Sequence, residues 1–135
     1  MVLRRFWKKG IAGKKNKFRR NTSLQYDLEK FFTLSLDMLC IASMDGYFKL
    51  VNLSFKRILG WSMEELLAKP FLDFVRPEDV SSTLREMEKL SEDVPTISFE
   101  NRYLCNDGSY RHSQVLALIR RSGRDSYLMI ECVRF

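Results

Sequence analysis

Apolar residues along this chain switch between two spacings, and the switches mark out an α+β fold. Leu24, Leu28, Phe31, Phe32 and then Ser35 recur at helical intervals on one face. Asn21, Thr22 and Ser23 supply cap residues in front of them, so the pattern predicts a helix over 21–36. From Met38 the spacing becomes that of a strand. Met38–Ser43 and Tyr47–Val51 flank Met44-Asp45-Gly46, and Asp-Gly between two apolar runs predicts a tight hairpin. Asn52 breaks the second strand and is placed to cap a short helix carrying Phe55, Ile58 and Leu59, which Gly60 closes. Ser62 with Glu65 three residues on is a capping box for another short helix, ended by Pro70. Pro77-Glu78-Asp79 predicts the start of a longer helix, with Val80, Leu84, Met87 and Ser91 lining one of its faces.

The last third reads as β. Thr96–Cys105 alternates Ile97, Phe99, Asn101 and Tyr103 against Ser98, Glu100 and Arg102. Turns at Asn106-Asp107-Gly108 and at 122–125 separate two further strands, 109–121 and 126–135. The stretches from Val115 to Ile119 and from Tyr127 to Val133 are apolar at odd and even positions alike. Both faces of such a sheet need cover. The short helices take one face, and the other needs the N-terminal helix or a partner.

Charge changes this picture at one end only. The chain has 135 residues and 45% hydrophobic composition, enough for one domain with its own core. Its formal charge is +6, yet residues 1–20 hold nine of the 23 bases and no acid, so the remaining body is net −3. The basic character belongs to a leader and does not make the body a nucleic-acid-binding domain. Leu3, Phe6, Trp7, Ile11 and Phe18 fall roughly on one side of that leader. It reads either as a disordered, solvated segment over 1–20 or as a helix on an anionic surface. In the second case Arg4, Arg5, Lys8, Lys9, Lys14 and Lys15 would contact a membrane or nucleic acid. Cys40, Cys105 and Cys132 are odd in number and widely spaced, which points to buried thiols in a reduced, cytoplasmic protein. No apolar run approaches the ~20 residues that a membrane-spanning helix needs.

Four segments together resemble the PAS family of sensor modules, in its form with PAC-type C-terminal strands. They are FFTLSLDMLCIASMDGYFKLVN (31–52), F-x-x-I-L-G-W-S-x-E-E-L-L (55–67), P-F-L-D-F-V-R-P-E-D (70–79) and F-E-N-R-Y-L-C-N-D-G-S-Y-R (99–111). The resemblance covers a core at 37–135 with the helix 21–36 before it, and leaves out 1–20. It implies a five-stranded antiparallel sheet with short helices on one face, around a pocket, and the N-terminal helix on the other. Such domains usually sit on the N-terminal side of histidine kinases, diguanylate cyclases or transcription regulators. Relatives commonly carry Trp after Tyr-Arg where this chain has His112. They often continue through Asp-Ile-Thr into a signalling helix, whereas this sequence closes on Cys132-Val-Arg-Phe135. It therefore reads as a piece of a longer protein or as a stand-alone module.

The resemblance also bears on cofactor chemistry. A haem-binding relative needs an axial ligand, usually His, on the long helix, and 77–91 contains none. A flavin photoreceptor needs a reactive Cys near Phe71–Val75, and all three cysteines lie in or beside strands. With a single His there is no nucleophilic triad to assemble, so no enzyme activity is expected. The expected pocket lining is Phe55, Phe71, Phe74, Phe99, Asn101 and Tyr103, with Val115 and Leu128 behind. Asn101 either orients a small ligand or satisfies a neighbouring backbone group. Leu24, Leu28, Phe31 and Phe32 form the expected dimer or partner face. The leading expectation is a sensory module that binds a ligand or partner and relays the signal by association. A haem or flavin sensor and an adaptor tethered by its basic leader are the alternatives.

Overall fold

The computed structural model describes residues 15–121 and 127–134, with side chains over 22–121 and 129–134. The two spacings of the sequence fold into helices and strands much where they change. Helix α1 (Lys15–Leu34) leads into strands β1 (Met38–Ser43) and β2 (Phe48–Val51). Helices α2 (Leu53–Leu59) and α3 (Met63–Ala68) come next, then 3₁₀ turns at Phe71–Phe74 and Pro77–Asp79, then helix α4 (Val80–Ser91). Strands β3 (Thr96–Leu104), β4 (Tyr110–Arg121) and β5 (Tyr127–Arg134) complete the fold. The sheet has five strands in the order β2-β1-β5-β4-β3, every neighbour antiparallel.

Local chemistry explains the boundaries. Gly46 at the first hairpin has φ +93°, a conformation that L side chains resist. Ser62 and Glu65 form the reciprocal capping box, with bonds of 3.1 and 3.0 Å. Gly60 ends α2 in the left-handed region at φ +83°.

Three expectations need correction. Helix α1 begins at Lys15, not at Asn21, so the last residues of the basic leader are helical. Lysine and arginine are good helix formers, and a cap residue inside a run of them need not be used. The rest of the leader, 1–14, and the turn at 122–125 lie outside the described residues. Asn52 occupies the cap position of α2 but makes no cap bond there. Ile97, expected inward with Phe99, is 76% exposed because β3 is irregular between Thr96 and Phe99 and turns Thr96 inward instead.

The core lies between the sheet and α2–α4. Met38, Cys40, Ala42, Met129 and Val133 from the strands meet Phe55, Leu59, Leu66 and Phe74 from the other layer. Phe48 is the hub of an aromatic cluster, with ring centroids 5.3 Å from Phe55 and 5.7 Å from Phe71. Trp61 stands edge-on to Phe74 and donates its indole N–H to the Leu104 carbonyl at 2.8 Å.

Cover on the opposite face is uneven. Ile41, Ile130 and Leu118 lie in one row across β1, β5 and β4. Ile41 is buried, Ile130 half-buried, and Leu118 is 49% exposed. Leu116 and Ile97 continue the open end of this gradient. Within α1, Gln25, Leu28, Glu29 and Phe32 lose exposure together and share one face, which fits a helix lying over the β1 side.

Candidate functional site

A cavity lies between α4 and the middle of the sheet. Its position depends on how α4 is held. Arg102 of β3 grips Asp79, the residue before α4, through its main-chain N–H at 2.9 Å and its guanidinium at 2.8 and 2.6 Å. Asp79 is held below its ordinary carboxylate range, chiefly by that guanidinium hydrogen bond. The Thr83 hydroxyl then donates to the Asp79 carbonyl at 2.7 Å. Thr83, Glu86, Met87 and Leu90 therefore turn toward the sheet. That face differs from the expected one: Leu84 is 43% exposed and Ser91 is exposed, since burial follows Thr83 and Leu90.

The strands supply the floor. Phe99, Asn101 and Tyr103 of β3 lie on one face, as their spacing requires, and Val115 joins them from β4. With Phe71 these are five of the eight expected lining residues. Phe55 and Phe74 are fully buried in the aromatic core and do not line the cavity. Their neighbours fill the space that each would have faced. Leu128 lies in β5 opposite Ser43, and its side chain is outside the described residues.

The Asn101 side chain bonds other side chains and not a neighbouring backbone group. Its amide oxygen accepts from the Ser113 hydroxyl at 2.8 Å, and its nitrogen donates to Thr83 Oγ1 at 3.4 Å. It thus braces β3 against β4 and α4 at once. Burial first and the nearby Glu131 charge second push the Tyr103 phenol well above the ordinary range, and the Asn101 side chain only partly opposes that shift.

Glu131 is the residue that sequence reasoning missed. It stands in β5 opposite Cys40 and Ala117, buried and facing the cavity. Its Oε2 receives the Cys40 thiol at 3.6 Å, a weak bond for a carboxylate. Burial raises its carboxyl to about 7, and the thiol bond only partly opposes that shift. Cys40 is in turn raised well above the ordinary thiol range by burial and then by the Glu131 charge. The available signal was parity: Glu131 is the lone acid of its strand and shares an orientation with Met129 and Val133. The cavity itself is closed down to about 20 Å³, room for one water.

The expected partner face divides in two. Leu24 and Phe31 are 47% and 79% exposed, while Leu28 and Phe32 are half-buried. Leu34 and Leu36 extend the exposed side. His112 is exposed and 3.2 Å from Glu100 Oε2, away from the cavity. Among the described residues no cluster of three metal-ligating side chains occurs.

Comparison with known proteins decides the family. A family profile described as the PAS fold matches residues 48–131. This chain belongs to the PAS family. The PAS domain of an HTR-like protein from Haloarcula marismortui is similar at 27% identity and TM-score 0.69, over 90% of this chain and all of that one. A domain of a sensory box histidine kinase/response regulator from Geobacter sulfurreducens shares the fold at 18% identity and TM-score 0.67, over 88% and 98% of the two chains. A probable diguanylate cyclase, DgcE, from Escherichia coli K12 is 32% identical over 71 residues, 52% of this chain and 6% of that protein. This chain therefore matches only a small part of that curated relative. PAS domains are sensory modules of histidine kinases and diguanylate cyclases, and the matched region here is the PAS region.

Proposed function

We propose that this PAS domain is a non-catalytic sensor that binds a small ligand or a protein partner and relays the event through α1 to a separate output such as a histidine kinase. The observation that supports the relay is the Asn52 side chain. Its oxygen accepts from the Leu39 N–H at 3.1 Å, and its nitrogen donates to the carbonyls of Phe32 and Asp37 at 3.0 and 2.9 Å. One buried amide therefore joins the end of α1, the linker and β1. A change in the sheet that weakens these bonds shifts the population of docked α1, and with it the exposure of the α1 apolar side. Association of two copies through Leu24, Phe31 and Leu34 is the proposed readout, in the cytoplasm where free Cys40 and Cys105 stay reduced.

Sedimentation of the full chain tests the reading. Phe31→Glu should shift the association equilibrium toward monomer, and an unchanged profile counts against it. A haem or flavin in the cavity is the second reading, drawn from the pocket position. It would require α4 to move away from the sheet, since the present cavity is about 20 Å³. An absorption spectrum of protein purified from cells decides it: a band beyond the aromatic region supports a bound chromophore. Tethering by Arg4, Arg5, Lys8, Lys9, Lys14 and Lys15 concerns residues outside the described side chains. Loss of liposome or DNA binding when those six are replaced would support it.

A further inference from the structure

The polar walls of the cavity beneath α4 are unbalanced. Two carboxylates line it, Glu131 from β5 and Glu86 from α4, and none of the lining residues is basic. Glu86 is partly neutralised: Lys89 reaches its Oε1 at 2.8 Å and the Thr96 hydroxyl its Oε2 at 3.2 Å. Glu131 has no such relief among the described residues. The titratable groups that act on it or feel its charge are Cys40 of β1 and Tyr103 of β3, both themselves acids. Glu86 is the one charged group that α4 adds to the lining.

Both threonine hydroxyls of the wall are already engaged as donors, which leaves the Tyr103 phenol as its other hydroxyl. Thr83 gives its hydroxyl hydrogen to Asp79, and Thr96 gives its own to Glu86. Asn101 is held by Ser113 and Thr83. A carboxylate accepts about four hydrogen bonds, and Glu131 has a thiol at 3.6 Å. The spare capacity offered to a guest is thus mainly acceptor capacity. Around it stand the rings of Phe71, Phe99 and Tyr103 and the thioether of Met87. Acceptors set among aromatic rings favour a cation and repel an anion.

We propose that this cavity is the receptor site for a small organic ammonium, with the Glu131 carboxylate as counter-ion and Phe71, Phe99 and Tyr103 as its apolar walls. The assignment rests on the ligand-sensor reading and names the ligand class. The present cavity holds about one water, so the guest is small and a wall must give. Met87 and the half-buried Phe99 are the adaptable walls, Met87 because its unbranched chain repacks readily. A bound ammonium requires ionised Glu131. Affinity therefore rises with pH up to the carboxyl's range, near 7, and then levels off.

A titration of the full chain followed by amide NMR tests this, with methylammonium, methanol and acetate as probes at about pH 8. Methylammonium should shift the signals of Asn101, Tyr103 and Glu131 saturably, and acetate and methanol should not. Glu131→Gln should weaken methylammonium binding at least about tenfold while keeping a dispersed spectrum. Undiminished binding by that variant overturns the assignment. Should the variant fail to fold, the wild-type pH profile decides: affinity must fall below about pH 7, by up to about tenfold per unit, and a flat profile overturns the proposal. If acetate or methanol occupies the cavity as well as methylammonium does, the charge assignment fails and the ligand-sensor reading stands. If none of the three moves a cavity signal, the assignment and the small-molecule form of that reading fail together, leaving the partner-binding form.

Discussion

The side-chain nitrogen of Asn52 donates to the main-chain carbonyl of Phe32 at 3.0 Å, across twenty residues of sequence. Phe32 lies in the last turn of α1, and Asn52 is 2% exposed at the end of β2. Replacing Asn52 with Ala removes three hydrogen bonds and leaves the Leu39 N–H without its side-chain acceptor. The expected loss is about 2–4 kcal/mol, read from the urea midpoint. Hydrogen exchange should quicken most in α1, because the same amide holds that helix. Uniform quickening across the sheet would mean that Asn52 supports the fold and not the relay.

The two neighbouring phenylalanines should behave differently. Phe31 is 79% exposed, so Phe31→Glu should change association and leave the monomer's stability within about 0.5 kcal/mol. Phe32 is half-buried, so Phe32→Glu should destabilise the fold by about 1–3 kcal/mol whatever the association state. Paired sedimentation and urea experiments on both variants check this. Equal stability losses would contradict the division of α1 into two faces.

Glu131 and Asp79 set opposite slopes in the dependence of stability on pH. Glu131 is raised to about 7 in the fold, from an ordinary 4.5, so the folded state binds the extra proton between these values. Its contribution is greatest below the unfolded range, falls as pH rises from about 4.5 to about 7, and amounts to about 3 kcal/mol overall. Asp79 is lowered, so its contribution is present above the unfolded range and fades as pH falls through its folded value. Denaturation midpoints across pH should show the decline toward neutral pH in the wild type and lose it in Glu131→Gln. A variant that still declines over that window would place the titration elsewhere.

Gly60 carries φ +83°, and a Cβ added there would come within 3.3 Å of the Asn106 side chain. Asn106 also donates its main-chain N–H to the Leu59 carbonyl at 2.7 Å. Gly60→Ala should destabilise the fold by about 1–2 kcal/mol from backbone strain alone. Trp61 is the next residue, and its emission gives a local probe of the change beside the denaturation curve.

Much of the fold was legible because it rests on short-range rules. Asp45-Gly46, the Ser62–Glu65 box and Gly60 each act within a few residues, and the structure uses each of them, while Pro77 opens a 3₁₀ turn ahead of α4 instead of α4 itself. The common orientation of Phe99, Asn101 and Tyr103 also follows from strand geometry. Asn52 misled for the same reason. Its local option was a helix cap, and longer-range partners at Phe32, Asp37 and Leu39 prevailed.

The order of elements was legible from periodicity and turn chemistry, which are local and survive without the rest of the chain, and four sequence segments carried the resemblance to the PAS family. Which residues share a cavity depends instead on long-range packing. It brings Glu131 of the last strand beside Cys40 of the first, a pairing that β1–β5 alignment creates over ninety-one residues. It turns Ile97 outward through an irregularity in β3, and aims Thr83 and Glu86 inward once Arg102 has fixed Asp79. It also splits the apolar residues of α1 between a docked side and an exposed one. Burial, charge and pocket chemistry depend on which distant strands and helices meet, and local spacing carries no record of that meeting.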